Sequence, residues 1–397
     1  MFFSTRELLK ILSSTALSNG FLIVLSLSLA HFAEANEYGQ FAYGVSVFAV
    51  SSLLLDFGLN ISAIKRHSDF QVSDTPLTFA SIKLILATAI FLLVLINSVI
   101  SEYWFFYSPL IVGFICASIN NVWLALRVVD QSSGDTSTFF RANVNLFLLR
   151  LATVICTYFA DLTALHYLLA LYLYPHLILL PLTPALFDFK SHLKAFKDNV
   201  WQIFAYSKWI FVSALLFVGS VQIPILSLKS PETELEMATL GVAMSIASLS
   251  SWLSYSLKPF FIGHYLSREA KDGAFSKLLV HFCIAMVPLV VLVYFSFLFA
   301  FGNKYPNVEL IGSIIFIYSS LVFVLGLYNS QIHVSGRPDL EALINLVRAC
   351  IVLFIMMLNT DLLQLMLMVG ATMVALEVIL MGVNHRLMKS KNENSIS

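Results

Sequence analysis

Seven Asp, Glu, Lys and Arg residues of this 397-residue chain lie within long apolar runs, away from the ends of the runs. They are Asp56, Lys83, Arg150, Lys208, Lys258, Arg348 and Glu377. Five are basic and two are acidic, which leaves a net charge of +3 within the runs. A charge at the centre of a bilayer costs at least about 2.5 kcal/mol, so such residues normally face a polar cavity or a partner. This set of residue types indicates an anion-binding interior and contains no pattern for acid–base catalysis.

In two places, an acidic and a basic residue lie at similar depth on neighbouring antiparallel runs. Asp56 lies about eight residues before the end of its run, and Lys83 about six after the start of the next, by a rise of about 1.5 Å per residue. Arg348 and Glu377 stand in the same relation. We predict that each couple forms an ion pair with a structural or gating role. For Lys83, a side chain that extends to the membrane interface is an equally good interpretation.

Three cations remain outside these couples, and they are the first candidates for a substrate site. Arg150 follows Phe147-Leu148-Leu149 near the middle of its run. Lys208 and Lys258 lie on adjacent runs at similar depth. Arginine binds phosphate oxygens with two parallel hydrogen bonds and lysine acts as a mobile point charge, so a diphosphate suits the set. We predict a cationic cavity built from Arg150, Lys208 and Lys258, with Arg348 and Lys83 as further members. A buried pair for Arg150 and interfacial lysines are the alternatives.

The composition predicts an all-α polytopic membrane protein. Hydrophobic residues make up 59% of the chain and charged residues 12%, whereas soluble domains are about 45–50% apolar and about 25% charged. A bilayer-spanning helix needs about 20 mostly apolar residues. Twelve runs qualify: 8–33, 39–62, 77–100, 104–126, 139–160, 162–186, 201–227, 238–263, 278–301, 308–331, 341–358 and 361–384.

The distribution of basic residues predicts the orientation of these spans. With both termini in the cytoplasm, sixteen of the 23 Lys and Arg residues fall in cytoplasmic connections and only Lys229 and Lys304 fall outside. We predict a six-helix lobe over residues 1–187, a basic interfacial linker over 188–200, a second six-helix lobe over 201–385 and a cytoplasmic tail over 386–397. The linker alternates phenylalanine and leucine with lysine, a pattern typical of an amphipathic helix at the membrane surface.

The sequence lacks the motifs of metal sites and of common enzyme active sites. The four cysteines, Cys116, Cys156, Cys283 and Cys350, lie in apolar runs without metal-ligand spacing. The chain contains no phosphate-binding Walker loop, no Gly-x-Ser-x-Gly and no Asp-x-Asp. We therefore expect no enzyme activity, metal, cofactor or nucleic-acid partner.

One segment resembles a known family. Glu37-Tyr38-Gly39-x-Phe41-Ala42, followed by Asp56-Phe57-Gly58-Leu59-Asn60 and Lys65-Arg66, is similar to the opening signature of the polysaccharide-transport family. These are Wzx-type flippases within the multidrug/oligosaccharidyl-lipid/polysaccharide exporter superfamily. Two later segments also resemble the family: Leu240-Gly241-Val242-Ala243 and Ser335-Gly336-Arg337-Pro338-Asp339-Leu340.

The resemblance implies two six-helix lobes around a central cavity in the bacterial inner membrane. The implied cargo is an oligosaccharide on undecaprenyl diphosphate, such as an O-antigen repeat unit, moved to the periplasmic leaflet by alternating access. Membrane lipids, a polysaccharide polymerase and chain-length proteins are the other implied partners. A cation-coupled small-molecule exporter of the same superfamily is the alternative, and it would use Asp56 and Glu377. A membrane glycosyl- or acyl-transferase is a third possibility, which the short loops disfavour.

Overall fold

The computed structural model describes residues 5–56, 92, 109–133, 136–179, 189–228, 234–246, 272–329, 338–358 and 361–396. These residues form helices joined by short turns, and no strand occurs among them. The all-α fold class predicted from composition is therefore confirmed. The predicted span 77–100, apart from Leu92, and residues 247–263 of the eighth span lie outside the described residues.

Helices occupy most of the predicted spans. The first group is α1 (Thr5–Phe32), α2 (Ala35–Asp56), α3 (Pro109–Ser133), α4 (Thr136–Phe159), α5 (Ala164–Tyr172) and α6 (Tyr174–Leu179). The second is α7 (Phe189–Ser227), the 234–246 helix, α8 (Asp272–Phe301), α9 (Val308–Asn329), α10 (Pro338–Met356) and α11 (Leu362–Ile396). In the described ranges, six helices contain a segment long and apolar enough to cross a membrane.

Two helices are longer than the sequence predicts. α7 runs without interruption for 39 residues, so the predicted interfacial linker 188–200 and the seventh span form one helix. α11 continues to Ile396, through most of the predicted tail. Side chains of 189–206 and 387–396 are not described. In both helices, basic residues extend the helix beyond the apolar run, because lysine and arginine are good helix formers.

The chain folds into two compact units. The first contains Met1–Leu22 and Asn36–Val218, and the second contains Ile23–Ala35 and Gly219–Ser397. The division falls inside α7, whereas the predicted lobes met at the 188–200 linker. It also assigns the C-terminal half of α1 to the second unit.

In the first unit, α2 and α3 approach closely at two glycines. A β-carbon on Gly113 would lie 2.5 Å from the carbonyl oxygen of Gly44 and 3.0 Å from Cβ of Val47. These distances are shorter than van der Waals contact, so only glycine fits at this crossing. Small residues at helix crossings allow backbones to pack closely in membranes, where no hydrophobic force drives helices together.

We expect Gly113→Ala to destabilise the protein by about 1–3 kcal/mol, because the added methyl group must displace the α2 backbone. Thermal unfolding of the detergent-solubilised protein would show a lower Tm. Gly326→Ala in α9 is the matched control, since a β-carbon there meets no heavy atom within 4 Å. Equal Tm values for the two variants would contradict the close crossing.

Candidate functional site

Arg150 lies on α4 and is buried, with 4% of its surface exposed. Its Nε donates a hydrogen bond of 2.8 Å to the carbonyl oxygen of Leu171 on α5. The guanidinium carbon lies 5.2 Å from the ring centroid of Tyr172, a cation–π distance. The Tyr172 ring also packs on Phe48 of α2, with centroids 4.0 Å apart. This arginine is therefore held by a carbonyl and an aromatic face inside the first unit.

Pro175 explains why the Leu171 carbonyl needs an outside donor. Proline has no N–H, so the carbonyl four residues earlier loses its helical hydrogen bond. The carbonyl four residues before Pro175 is that of Leu171, which Arg150 satisfies. Neighbouring carbonyls are satisfied in the same way: Thr153 Oγ1 donates to Ala170 (2.6 Å) and His176 Nδ1 to Tyr172 (2.8 Å). Side chains thus cap the kink between α5 and α6.

We expect Arg150→Met to destabilise the protein by about 1.5–3 kcal/mol, the usual range for a hydrogen bond from a charged group. The loss should be smaller when Pro175→Ala is also present, because alanine restores an N–H for Leu171. Thermal unfolding of the four proteins of this double-mutant cycle measures the coupling. Additive losses would rule out the capping role. If Arg150 also contacts cargo, the double variant will recover stability but not transport.

A second polar cluster lies in the second unit, between α9, α10 and α11. Arg348 has no exposed surface, and its Nη2 lies 2.7 Å from Oε1 of Glu377. Asn345 accepts a hydrogen bond from Nη1 of Arg348. Asn329 Nδ2 donates to Oε2 of Glu377 (2.6 Å) and to the Glu377 backbone carbonyl (3.1 Å). The pair of Arg348 and Glu377 expected from their depth is present, inside a network of four side chains.

Removing one partner of this pair leaves the other charge buried without compensation, at a typical cost of about 3–5 kcal/mol. We therefore expect Arg348→Met and Glu377→Gln each to lower the Tm strongly. The double variant should be more stable than the sum of the single losses implies. Arg141→Met, at an exposed position on α4, is the control and should change the Tm little. A double variant that loses the full sum would show that the two charges do not interact.

The other predicted site residues differ in accessibility. Lys208 on α7 is exposed, with Nζ 5.7 Å from the ring centroid of Trp209. Asp56 is half-buried at the end of α2. Lys83 and Lys258 lie outside the described residues, so the predicted Asp56–Lys83 pair stays a prediction. Arg150 and Arg348 belong to separate clusters in separate units. Their roles in cargo binding also remain predictions.

Sequence reasoning missed the residues that hold these arginines. Thr153, His176, Asn329 and Asn345 look unremarkable in apolar runs. One signal was available: Pro175 implies an unsatisfied carbonyl at Leu171, although it does not name the donor. No group of three or more His, Cys, Asp or Glu side chains that could hold a metal ion occurs among the described residues.

Solved structures resemble the whole chain. An inward-facing multidrug resistance MATE family transporter of the MOP superfamily matches with a TM-score of 0.63 at 13% identity, over 97% of this chain and 99% of that one. The eukaryotic MATE transporter AtDTX14 matches with a TM-score of 0.57 at 15% identity, over 98% of both chains. The chain has the fold of the MATE transporters. A point mutant of a MATE protein matches with a TM-score of 0.55 at 12% identity, over 97% and 96% of the two chains.

The MATE fold fits the helical content and the apolar helices described above, and the chain is a multi-pass membrane protein with this fold. No family model matches the sequence, and no curated protein matches it. At identities of 12–15%, these similarities show the fold and do not identify the cargo.

Proposed function

We propose that the protein is a flippase that moves undecaprenyl-diphosphate-linked oligosaccharide from the cytoplasmic to the periplasmic leaflet of the bacterial inner membrane. The transporter fold supports movement of a solute or lipid across a membrane. The resemblance of the Glu37–Ala42 and Asp56–Asn60 segments to polysaccharide transporters supports this class of cargo. Alternating access would carry the diphosphate and sugar headgroup through the protein while the polyprenyl tail stays in lipid.

The observation that most supports the proposal is the exposed ammonium group of Lys208. Glu377 is paired with Arg348 and accepts a hydrogen bond from Asn329, and Arg150 donates its Nε hydrogen to the Leu171 carbonyl oxygen. Lys208 is exposed and forms no ion pair with a described carboxylate. An accessible ammonium group in an apolar span favours an anionic cargo, which a diphosphate provides. Lys208 is therefore the described residue that we assign to the headgroup.

A cation-coupled exporter of small molecules is the second candidate. The fold supports the exporter as much as the flippase, since the inward-facing structure with a similar fold is a multidrug resistance transporter. This function requires a carboxylate inside the membrane that binds and releases a cation. Asp56 and Glu377 are the candidates, and Glu377 would first have to leave Arg348.

The two functions differ in what accumulates when the protein is lost. A host strain lacking the gene should build up complete lipid-linked repeat units in the cytoplasmic leaflet, with no surface polysaccharide. Analysis of the carrier lipids by mass spectrometry measures this. Normal surface polysaccharide with increased drug sensitivity would instead support the exporter. Units that lack a sugar or acyl group would point to a transferase.

Complementation of that strain tests Lys208. We expect Lys208→Arg to restore surface polysaccharide and Lys208→Glu to reduce its export about tenfold or more, because a charge-assisted hydrogen bond contributes about 1.5–3 kcal/mol. The readout is the amount of surface polysaccharide at equal membrane levels of each protein.

Arg141→Glu is the matched control for charge reversal, since Arg141 is exposed on α4 and predicted to lie in a cytoplasmic connection. It should complement normally. Full complementation by Lys208→Glu would remove Lys208 from the headgroup site. It would leave the lysine as an interfacial anchor beside Trp209.

A further inference from the structure

Two buried asparagines of the second unit have side-chain oxygens that accept no hydrogen bond. Asn329, the last residue of α9, is 5% exposed, and Asn384 of α11 has no exposed surface. Within the part of the chain that the structure describes, no group donates to Oδ1 of either residue. Buried polar side-chain atoms in folded proteins nearly always bond to a protein group or to ordered water, so these two oxygens indicate a binding site.

The hydrogen bonds of the two amide nitrogens fix the orientation of each side chain. Asn329 Nδ2 donates to Oε2 and to the backbone oxygen of Glu377. Asn384 Nδ2 donates to the backbone oxygen of Tyr328 at 3.5 Å. Rotating either amide by half a turn would place Oδ1 against another acceptor, so only the present orientation forms these bonds. The two oxygens are therefore acceptors that need a donor.

The two asparagines meet at the end of α9. The carbonyl that binds Asn384 belongs to the peptide bond between Tyr328 and Asn329. It is one of the last four carbonyls of α9, which have no N–H partner within the helix. Asn384 thus caps α9 directly beside Asn329. We call the pair of oxygens, Asn329 Oδ1 and Asn384 Oδ1, the α9 amide site.

A polar face of α10 leads to the same network. Glu341, Asn345 and Arg348 are spaced at i, i+4 and i+7, which places them on one side of the helix. Glu341 lies in the first turn, and Arg348 lies about 10 Å farther along the helix, at about 1.5 Å per residue. Arg348 donates to Asn345 and to Glu377. Polar groups therefore continue from the first turn of α10 to the buried ion pair.

The chemistry of the α9 amide site favours a neutral donor. Both acceptors are uncharged amide oxygens, and the carboxylate of Glu377 is already paired with Arg348 at 2.7 Å. A metal cation would therefore gain little attraction from the carboxylate and would be repelled by the guanidinium. A water molecule donates two hydrogen bonds without adding charge, and buried waters typically bind about three otherwise unsatisfied polar groups.

We propose that the α9 amide site binds ordered water, held by the side-chain oxygens of Asn329 and Asn384 beside the Arg348–Glu377 pair. This water completes a network in which the described side chains leave two acceptors without donors. It brings solvent next to a buried ion pair, so this region of the second unit is hydrated although its side chains are buried. The inference does not depend on the cargo.

X-ray radiolytic footprinting of the full chain in lipid nanodiscs tests the proposal, because hydroxyl radicals formed from bound water oxidise the side chains beside it. Leu380 lies between Glu377 and Asn384 on one face of α11, and the Tyr328 carbonyl binds Asn384. Tyr318, earlier on α9, is the control, since it is 6% exposed and Tyr328 is 8% exposed. We expect Leu380 or Tyr328 to be oxidised several times faster than Tyr318, after correction for intrinsic reactivity. Rates no higher than that of Tyr318 at both residues would overturn the proposal.

Substitutions separate bound water from solvent that enters at the helix end. Asn329→Leu and Asn384→Leu, alone and together, should reduce the oxidation to the level of Tyr318. Thr372→Val is the matched control on α11 and should leave it unchanged, because the Thr372 hydroxyl donates to the Met368 carbonyl of its own helix. Undiminished oxidation in the folded asparagine variants would overturn the proposal. If these variants do not fold, the comparison within the native protein decides.

The salt in the buffer distinguishes water from a metal cation. We expect the same Tm in equal concentrations of sodium, potassium and N-methyl-D-glucamine chloride. A higher Tm in one metal salt, abolished by Asn384→Leu, would overturn the assignment of water and identify a cation site instead. Neither measurement uses a transport assay, so both decide this proposal even if the flippase function fails.

Discussion

The lack of water in the bilayer core determines how the polar atoms of this protein are arranged. Each buried polar group must find a partner within the protein, because hydrocarbon supplies none. Arg150 and Arg348 each find hydrogen-bond acceptors in their own unit. Arg150 binds a carbonyl of α5, and Arg348 binds a carboxylate of α11. Each arginine therefore fastens its own helix, α4 or α10, to the helix that follows it in the chain.

Arginine and lysine serve different purposes here for physical reasons. The guanidinium is a planar fork with five N–H donors and is weakly hydrated, which suits a buried position with several fixed acceptors. Arg150 and Arg348 are both buried. The lysine ammonium is compact and strongly hydrated, and Lys208 remains exposed. The two arginines thus hold helices together, and Lys208 is exposed.

Much of the fold was predictable, because continuous apolar runs and depth along a helix are direct readings of sequence. The runs predicted α1 to α4, α8 to α10 and the apolar parts of α7 and α11, and depth alone predicted the pair of Arg348 and Glu377. The capping of the α5–α6 kink was not predictable, since bonds from side chains to distant carbonyls leave no spacing pattern. The bonds from Lys304 to the carbonyl oxygens at the end of α1 were hidden for the same reason, because these carbonyls lie more than 270 positions away in the sequence.

The Arg348–Glu377 pair also bears on how transport could be driven. A cation that uses Glu377 must displace Arg348 and Asn329, each of which binds a separate carboxylate oxygen. Breaking a buried pair typically costs about 3–5 kcal/mol, which a coupling cation would have to supply from its own binding. A ligand shifts an equilibrium only by its difference in affinity for the two states. Coupling through Glu377 therefore requires a state in which Arg348 has left the carboxylate. A flippase that binds no coupling cation at Glu377 has no such requirement, because the pair can stay closed throughout the cycle.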